Sequence, residues 1–350
     1  KDNLHSSLKH LKRPGPYSSR EFMILDRKTQ KNLEILESIS GQKGEATLFK
    51  VLNKTVTPLG SRLLRRWISK PLIVPSLINA RLEAVEELVR CRSLSDLREA
   101  MKEIRDLERI LGRLSCEVGS ARDFIALKES LEKIPGLKSR LAAVTSPLLN
   151  EQKEKLHELN TLVDLVKRAI VDCPPLSTKE GGMIRSGYNQ ELDDLYQISR
   201  HGKDFLAELQ QREVGRTGIK SLKVRYNKVF GYYIEVTKAN LHQVPDYYIR
   251  RQTLVNAERF IIPELKEYEE KILNAEERAC QIEWEIFDAI KNQILNNTTE
   301  IQEIAEAVAT LDVLSAFAFL ASHYSYIRPV IDSGPEICIT NGRHPVVERV

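Results

Sequence analysis

The 350-residue chain is poor in cysteine, with five in all and no C-x-x-C pair. Cys91, Cys116, Cys173, Cys280 and Cys338 are odd in number and widely spaced. That argues against a disulfide framework or a cysteine zinc site, and for a reducing cytoplasmic compartment. Each reads as a small buried hydrophobe. Seven histidines are scattered without a ligand spacing such as H-E-x-x-H, so no metal centre is expected. No uninterrupted apolar run of about 18 residues occurs, which argues against a membrane span. The start, "KDNLHSSLKHLKRPGPY", lacks the apolar stretch of a signal peptide, and the missing Met reads as a piece of a longer chain. No G-x-x-x-x-G-K-[S/T] loop is present. "HGKD" (His201 to Asp204) has the Gly-Lys pair but neither the upstream Gly nor the hydroxyl that would hold magnesium. No nucleophile elbow or paired acids stand out, so no catalytic residue and no cofactor are expected in this chain.

The net charge of +4 is too small to name a partner, but its distribution is uneven. Arg216 to Ile262 holds nine Lys/Arg against three acids, +6 within a chain total of +4, so the remainder carries −2. All the positive excess sits in one short segment.

Most of the chain reads as helix. In "NKTVTPLGSRLLRRWISKPL", Thr57 suits an N-cap and Pro58 the first helical position. Leu59, Leu63, Leu64, Trp67 and Ile68 form an apolar face and Pro71 stops the helix. Arg62, Arg65 and Arg66 are expected on a solvated outer face. Helices continue through "LINARLEAVEELVRC" and "LREAMKEIRDLERILGRL". A longer helix is expected from about Asn189 to Glu213, with Leu192, Leu195, Ile198, Phe205 and Leu209 at helical spacing. From Glu264 onward the apolar steps are 3, 4, 3, 4, 3, 4 and 3 through Leu265, Tyr268, Ile272, Ala275, Ala279, Ile282, Ile286 and Ala289. That is a heptad seam, and helix continues to about Tyr324.

Between the two long helices the periodicity changes. In "LKVRYN", Leu222, Val224 and Tyr226 fall on one strand face and Lys223, Arg225 and Asn227 on the other. "FGYYIEVTK" repeats the alternation with Phe230, Tyr232, Ile234 and Val236. "YYIRRQTL" and "AERFII" supply two further strands. The expected fold is mainly α: a helical core, a long antiparallel helix pair, and a small inserted antiparallel sheet with one packed and one basic face. Such a face suits duplex nucleic acid, through counterion release. The alternative is a helical scaffold whose basic end binds an acidic protein.

Four blocks carry a family resemblance: "MILDRKTQKNLEIL" (Met23 to Leu36), "NKTVTPLGSRLLRRWISKPL" (Asn53 to Leu72), the run from Arg225 to Leu273, and "ITNGRHPVVE" (Ile339 to Glu348). With these the chain resembles the MutS family of bacterial DNA mismatch-recognition ATPases. The resemblance implies core and first lever helix over 1–204, an inserted clamp over 205–262, the returning lever and core over 263–335, and the first strand of an ATPase domain over 336–350. It implies duplex DNA as partner, a homodimer and downstream mismatch-repair proteins as partners of the full-length protein, and ATP with magnesium as cofactors there. Many members have Lys-Asn in the turn between the last two clamp strands, where this chain has Val255-Asn256. The phosphate contacts are then expected from Lys223, Arg225, Asn227, Lys228, Arg250, Arg251 and Asn256.

Overall fold

The computed structural model describes residues 19–39, 47–176, 181–227 and 231–349. In chain order the helices before the sheet are α1 (Arg27–Asn32), α2 (Leu48–Leu52), α3 (Pro58–Ser69), α4 (Pro75–Arg90), α5 (Leu94–Lys102), α6 (Leu107–Ser115), α7 (Ala121–Leu131), α8 (Ile134–Arg140), α9 (Pro147–Glu154), α10 (Asn160–Ala169) and α11 (Gln190–Thr217). The strands β1 (Lys223–Asn227), β2 (Gly231–Thr237), β3 (Ile249–Thr253) and β4 (Ala257–Ile261) follow, then α12 (Pro263–Asn296) and α13 (Thr298–Tyr324). The protein is thus mainly helical with one small antiparallel sheet, as the residue patterns require. Its contacts divide it into unit 1, residues 1–167 and 290–350, and unit 2, residues 168–289.

Unit 1 is organised by α13. This helix is apolar on all sides, and a helix without a polar face must be buried. By length and composition it could cross a membrane, but 78% of its most apolar window is buried inside the unit. Helices α3, α4, α5, α6 and α9 pack on it. Within it lies a fully buried acid, Asp312. Its carboxylate accepts from Val56 N at 2.9 Å, Thr57 N at 2.8 Å and Thr57 Oγ1 at 2.7 Å. Burial pushes the Asp312 carboxyl above its ordinary range, opposed by those bonds and by Arg98. Thr57 in turn accepts from Gly60 N and caps α3, with Pro58 at the first position. A side chain at Gly60 would collide with Asp312, so glycine is required where α3 approaches α13.

Arg62 does not lie on a free solvated face. Its guanidinium binds Asp106 through Nη1 at 2.6 Å and Nη2 at 2.8 Å, and reaches Glu108 at 2.5 Å. Asp106 is 44 residues away, so no local pattern could announce the pair. Arg65 and Arg66 are exposed, as expected. The cysteines also differ from expectation: Cys116, Cys173 and Cys338 are exposed, and all five are free thiols. Ile339 to Glu348 forms no strand; the segment is irregular up to a 3-10 turn at Val347–Arg349. A strand needs a neighbour to pair with, and among the described residues none is offered there.

Unit 2 contains α11, the sheet and most of α12. Asn189 caps α11 by accepting from Leu192 N, and Gly218 ends it in the left-handed conformation at φ 71°. The two helices run antiparallel: Arg212 pairs with Glu264 at 2.6 Å, Phe205 stacks on Tyr268 at 3.7 Å, and Tyr196 donates to Glu283 at 2.9 Å. The heptad seam of α12 holds from Leu265 to Ile282 and then shifts. Glu283, Phe287 and Ile290 are buried, whereas Ala289 is exposed. A straight helix of 3.6 residues per turn drifts about 20° per heptad, so a 3.5 repeat loses its face within a few turns. Glu283 uses its buried place to accept from Met183 N and Ile184 N.

The strand order is β1-β2-β4-β3, all antiparallel. One face carries Leu222, Ile234, Val236 and Phe260 into a core with Leu209, Tyr248 and Leu265. At the start of β2, Gly231 takes φ 73°, a side chain there would strike Glu269, and Glu269 accepts from Tyr232 N at 3.1 Å. Glycine there lets the first hairpin seat against α12.

Candidate nucleic-acid interface

The outward face of the sheet is a mixture of both signs. In register, Lys223 lies beside Glu235, Glu235 beside Arg259, and Arg259 beside Gln252. Glu235 sits between Arg225 and Arg259, at 3.7 Å from each. The expected basic face is therefore partly neutralised at its centre. Alternation tells which face a residue takes, but not what stands opposite on the next strand. Of the aromatics, Tyr248 and Phe260 are buried on the packed side, and Tyr226 is half exposed against Tyr232. Tyr233, in register with Arg225, lies on the outward face and is buried, with the Arg259 guanidinium carbon 4.3 Å from its ring centroid.

The seven expected contact residues do not gather into one patch. Lys223 and Arg225 are exposed on β1, at one edge of the sheet. Arg250 and Arg251 are exposed on β3, at the other edge. Three strand spacings of about 4.8 Å separate those edges, roughly 14 Å. Arg250 pairs in register with Phe260, so it leaves from the packed face and meets Glu258 at 3.6 Å. Arg251 stands in the irregularity between Arg250 and Gln252. Asn227 ends β1 opposite Gly231, half-buried. Lys228 lies outside the described residues, as does Phe230. Asn256 shares an exposed two-residue turn with Val255, which is 85% exposed.

What the structure does bring together is the end of the sheet away from Gly231. The start of β1, the end of β2 and the β3–β4 turn meet there. Ser221 and Thr237 hydroxyls lie 3.2 Å apart, and Asn240 Nδ2 donates to both, at 2.9 and 3.2 Å. Lys238 N donates to Asn256 O at 3.1 Å. Around this knot Lys220, Lys223 and Lys238 are exposed, and among the described residues none of the three forms an ion pair. Lys220 and Lys238 were missed as site residues because they precede and follow the strands, where strand alternation says nothing. The available signal was their place in the +6 segment.

Ahead of β3, at the other end of that strand from the β3–β4 turn, the sheet is anchored to α11 by a buried acid. Glu213 is fully buried and accepts from Tyr247 OH at 2.7 Å and Tyr248 OH at 3.0 Å. Burial, together with the Glu213 charge, pushes both phenols up. Arg216, exposed, approaches the same carboxylate at 3.4 Å. Three unpaired ammonium groups on a sheet held in this way can neutralise phosphates without surrendering internal partners. Among the described residues no group of three His, Cys, Asp or Glu could hold a metal ion.

Comparison with known proteins agrees with the blocks read above. Residues 28–318 match the family model for MutS domain III. The chain is 49% identical over 346 residues to the DNA mismatch repair protein MutS of Methanosarcina barkeri, covering 97% of this chain and 38% of that protein. It is 48% identical over 351 residues to the same-named protein of Myxococcus xanthus, covering 100% of this chain and 39% of that one. With the protein of Alkaliphilus oremlandii the identity is 46% over 349 residues, covering 98% and 39%. The chain therefore spans about two fifths of the length of these relatives.

Proposed function

The chain belongs to the MutS family, and on that premise we propose that it is the lever-and-clamp part of a cytoplasmic DNA mismatch repair protein. Its sheet grips the backbone of duplex DNA without regard to sequence. Its long helices couple that grip to an ATPase supplied by the rest of a homodimeric full-length protein, where ATP and magnesium are bound. The division into core and first lever over 1–204, clamp over 205–262, returning lever and core over 263–335 and the start of an ATPase domain over 336–350 is part of the same reading. The chain by itself performs no catalysis, and mismatch choice and downstream repair partners belong to the longer protein.

The observation that carries this reading is the trio Lys220, Lys223 and Lys238, unpaired among the described residues at the free end of the sheet. Each phosphate neutralised contributes about 0.9 to the slope of log affinity against log salt. Replacing all three by Ala should flatten that slope by up to about 2.7, measured by fluorescence anisotropy on unrelated duplexes. Replacing Arg225 and Arg250, which already face Glu235 and Glu258, should flatten it less. Equal slopes for the wild type and the lysine variant would remove the lysines from the interface. No duplex binding at low salt, with salt-sensitive binding of an acidic protein, would favour the scaffold alternative instead.

A further inference from the structure

Unit 1 holds a second cationic feature that the DNA-binding reading does not use. Arg81 of α4 lies over the Trp67 ring of α3, its guanidinium carbon 3.4 Å from the ring centroid. The guanidinium is half-buried, and burial together with the like charge of Arg66 brings its pKa down to about 10. Among the described residues neither Arg66 nor Arg81 has a carboxylate partner. The acids of the neighbouring cleft, Glu108 and Glu306, are taken by Arg62 and Lys155. Stacking uses the flat face of a guanidinium and leaves its edge, a fork of N–H donors, open to a planar oxyanion. A second unpaired cation within electrostatic reach adds to the pull of that guanidinium on an anion.

The rim of this site is apolar. Leu77 precedes Arg81 by one helical turn on the same stripe of α4, and it is 42% exposed. Ile73 is 47% exposed. The segment containing Ile73 is tied to the early chain by Ile73 N to Glu21 O at 2.9 Å and Met23 N to Pro71 O at 2.8 Å. A phosphodiester backbone would leave such side chains uncovered, whereas a peptide with aliphatic side chains would cover them.

We propose that Arg66, Trp67 and Arg81 form a docking site for an acidic segment of a partner protein, one that presents a carboxylate between apolar side chains. The carboxylate takes the guanidinium edge of Arg81 and the charge of Arg66, and its neighbours cover Ile73 and Leu77. The chain's own leading residues are the wrong occupant by charge: Lys1 to Ser18 carries four Lys/Arg against one Asp.

The test uses the 350-residue chain with Trp284→Phe, which leaves Trp67 as its one tryptophan. The probes are blocked hexapeptides with a central Glu flanked by every pairing of Leu, Ile, Val, Met and Phe, each beside its Gln counterpart. Some Glu peptides should bind saturably and shift Trp67 emission, with the Gln counterparts at least tenfold weaker. Arg66→Gln and Arg81→Gln should each weaken binding about tenfold or more, with unchanged circular-dichroism melting for Arg66→Gln. If Arg81→Gln fails to fold, exposed Arg66 decides. The proposal is overturned if no Glu peptide binds below millimolar concentration, if Gln peptides bind equally, or if Arg66→Gln binds as the parent does. Inorganic phosphate and a 20-base-pair duplex serve as competitors, and displacement by either below the peptide's own concentration would also overturn it.

Discussion

Asp312 in unit 1 and Glu213 in unit 2 are both fully buried carboxylates on long helices, and each fixes a segment far away in the chain. They differ in their donors. Asp312 takes two main-chain N–H groups and one hydroxyl at the start of α3. Glu213 takes two tyrosine hydroxyls ahead of β3. A main-chain donor has no other place to go once the helix is packed. A phenol on a partly exposed ring can turn to water. Unit 1 is thereby closed by bonds that only unfolding releases, while the sheet of unit 2 is held by bonds that side-chain motion can release.

The largest expected effect tests this contrast directly. Asp312→Ala strands the Val56 and Thr57 amides and leaves the capping Thr57 hydroxyl without its acceptor, and should cost roughly 3–5 kcal/mol, as removal of one partner of a buried charged network does. Glu213→Ala should cost less, about 1–3 kcal/mol, since Tyr247 is 42% exposed and finds water. Amide hydrogen exchange read separately over residues 56–64 and 247–253 would measure both. Equal losses would end the comparison.

Alkali should divide the units more gently. The phenols of Tyr247 and Tyr248 are held above their ordinary value in the folded state. A group whose folded pKa is raised contributes stability below the unfolded pKa, and that contribution is lost as pH rises above it. Protection of 247–253 should therefore fall as pH climbs above about 10, and Tyr248→Phe should flatten the decline. Residues 56–64, held by main-chain donors, should show no matching step. The smallest effect expected is a gain at the sheet's free end. Val255→Lys adds a cation to the exposed turn beside Asn256, and should steepen the salt slope of duplex binding by about 0.9. An unchanged slope would mean that this turn does not reach the phosphates.

How much of this was readable beforehand follows the range of the interactions. The start of α3 at Thr57-Pro58, the extent of α11, and the four alternating strands are local patterns, and they appear where local chemistry puts them. The pairing of Glu235 with Arg225 and Arg259 depends on strand order, which alternation does not encode. Arg62 reads as one charge of a solvated helix until Asp106 arrives from another helix. Glu213, within "LQQREVGR", looks like any surface acid, and only the packing of Tyr247 and Tyr248 makes it structural. The drift of the α12 seam after Ile282 is the mismatch between a 3.5 repeat and a straight helix.

The two borders of the small sheet are each closed in a different manner. Along β1, the side chain of Gln210 on α11 accepts from Val224 N at 2.8 Å, occupying a donor that would otherwise face outward. Along β3, the ladder skips between Arg250 and Gln252, and the skipped position holds a charged, exposed Arg251. An open border with regular amide spacing templates the strands of neighbouring chains, and aggregation begins there. A borrowed glutamine on one side and a broken, charged ladder on the other keep this sheet at four strands. A crowded solution of such molecules has no border along which to polymerise.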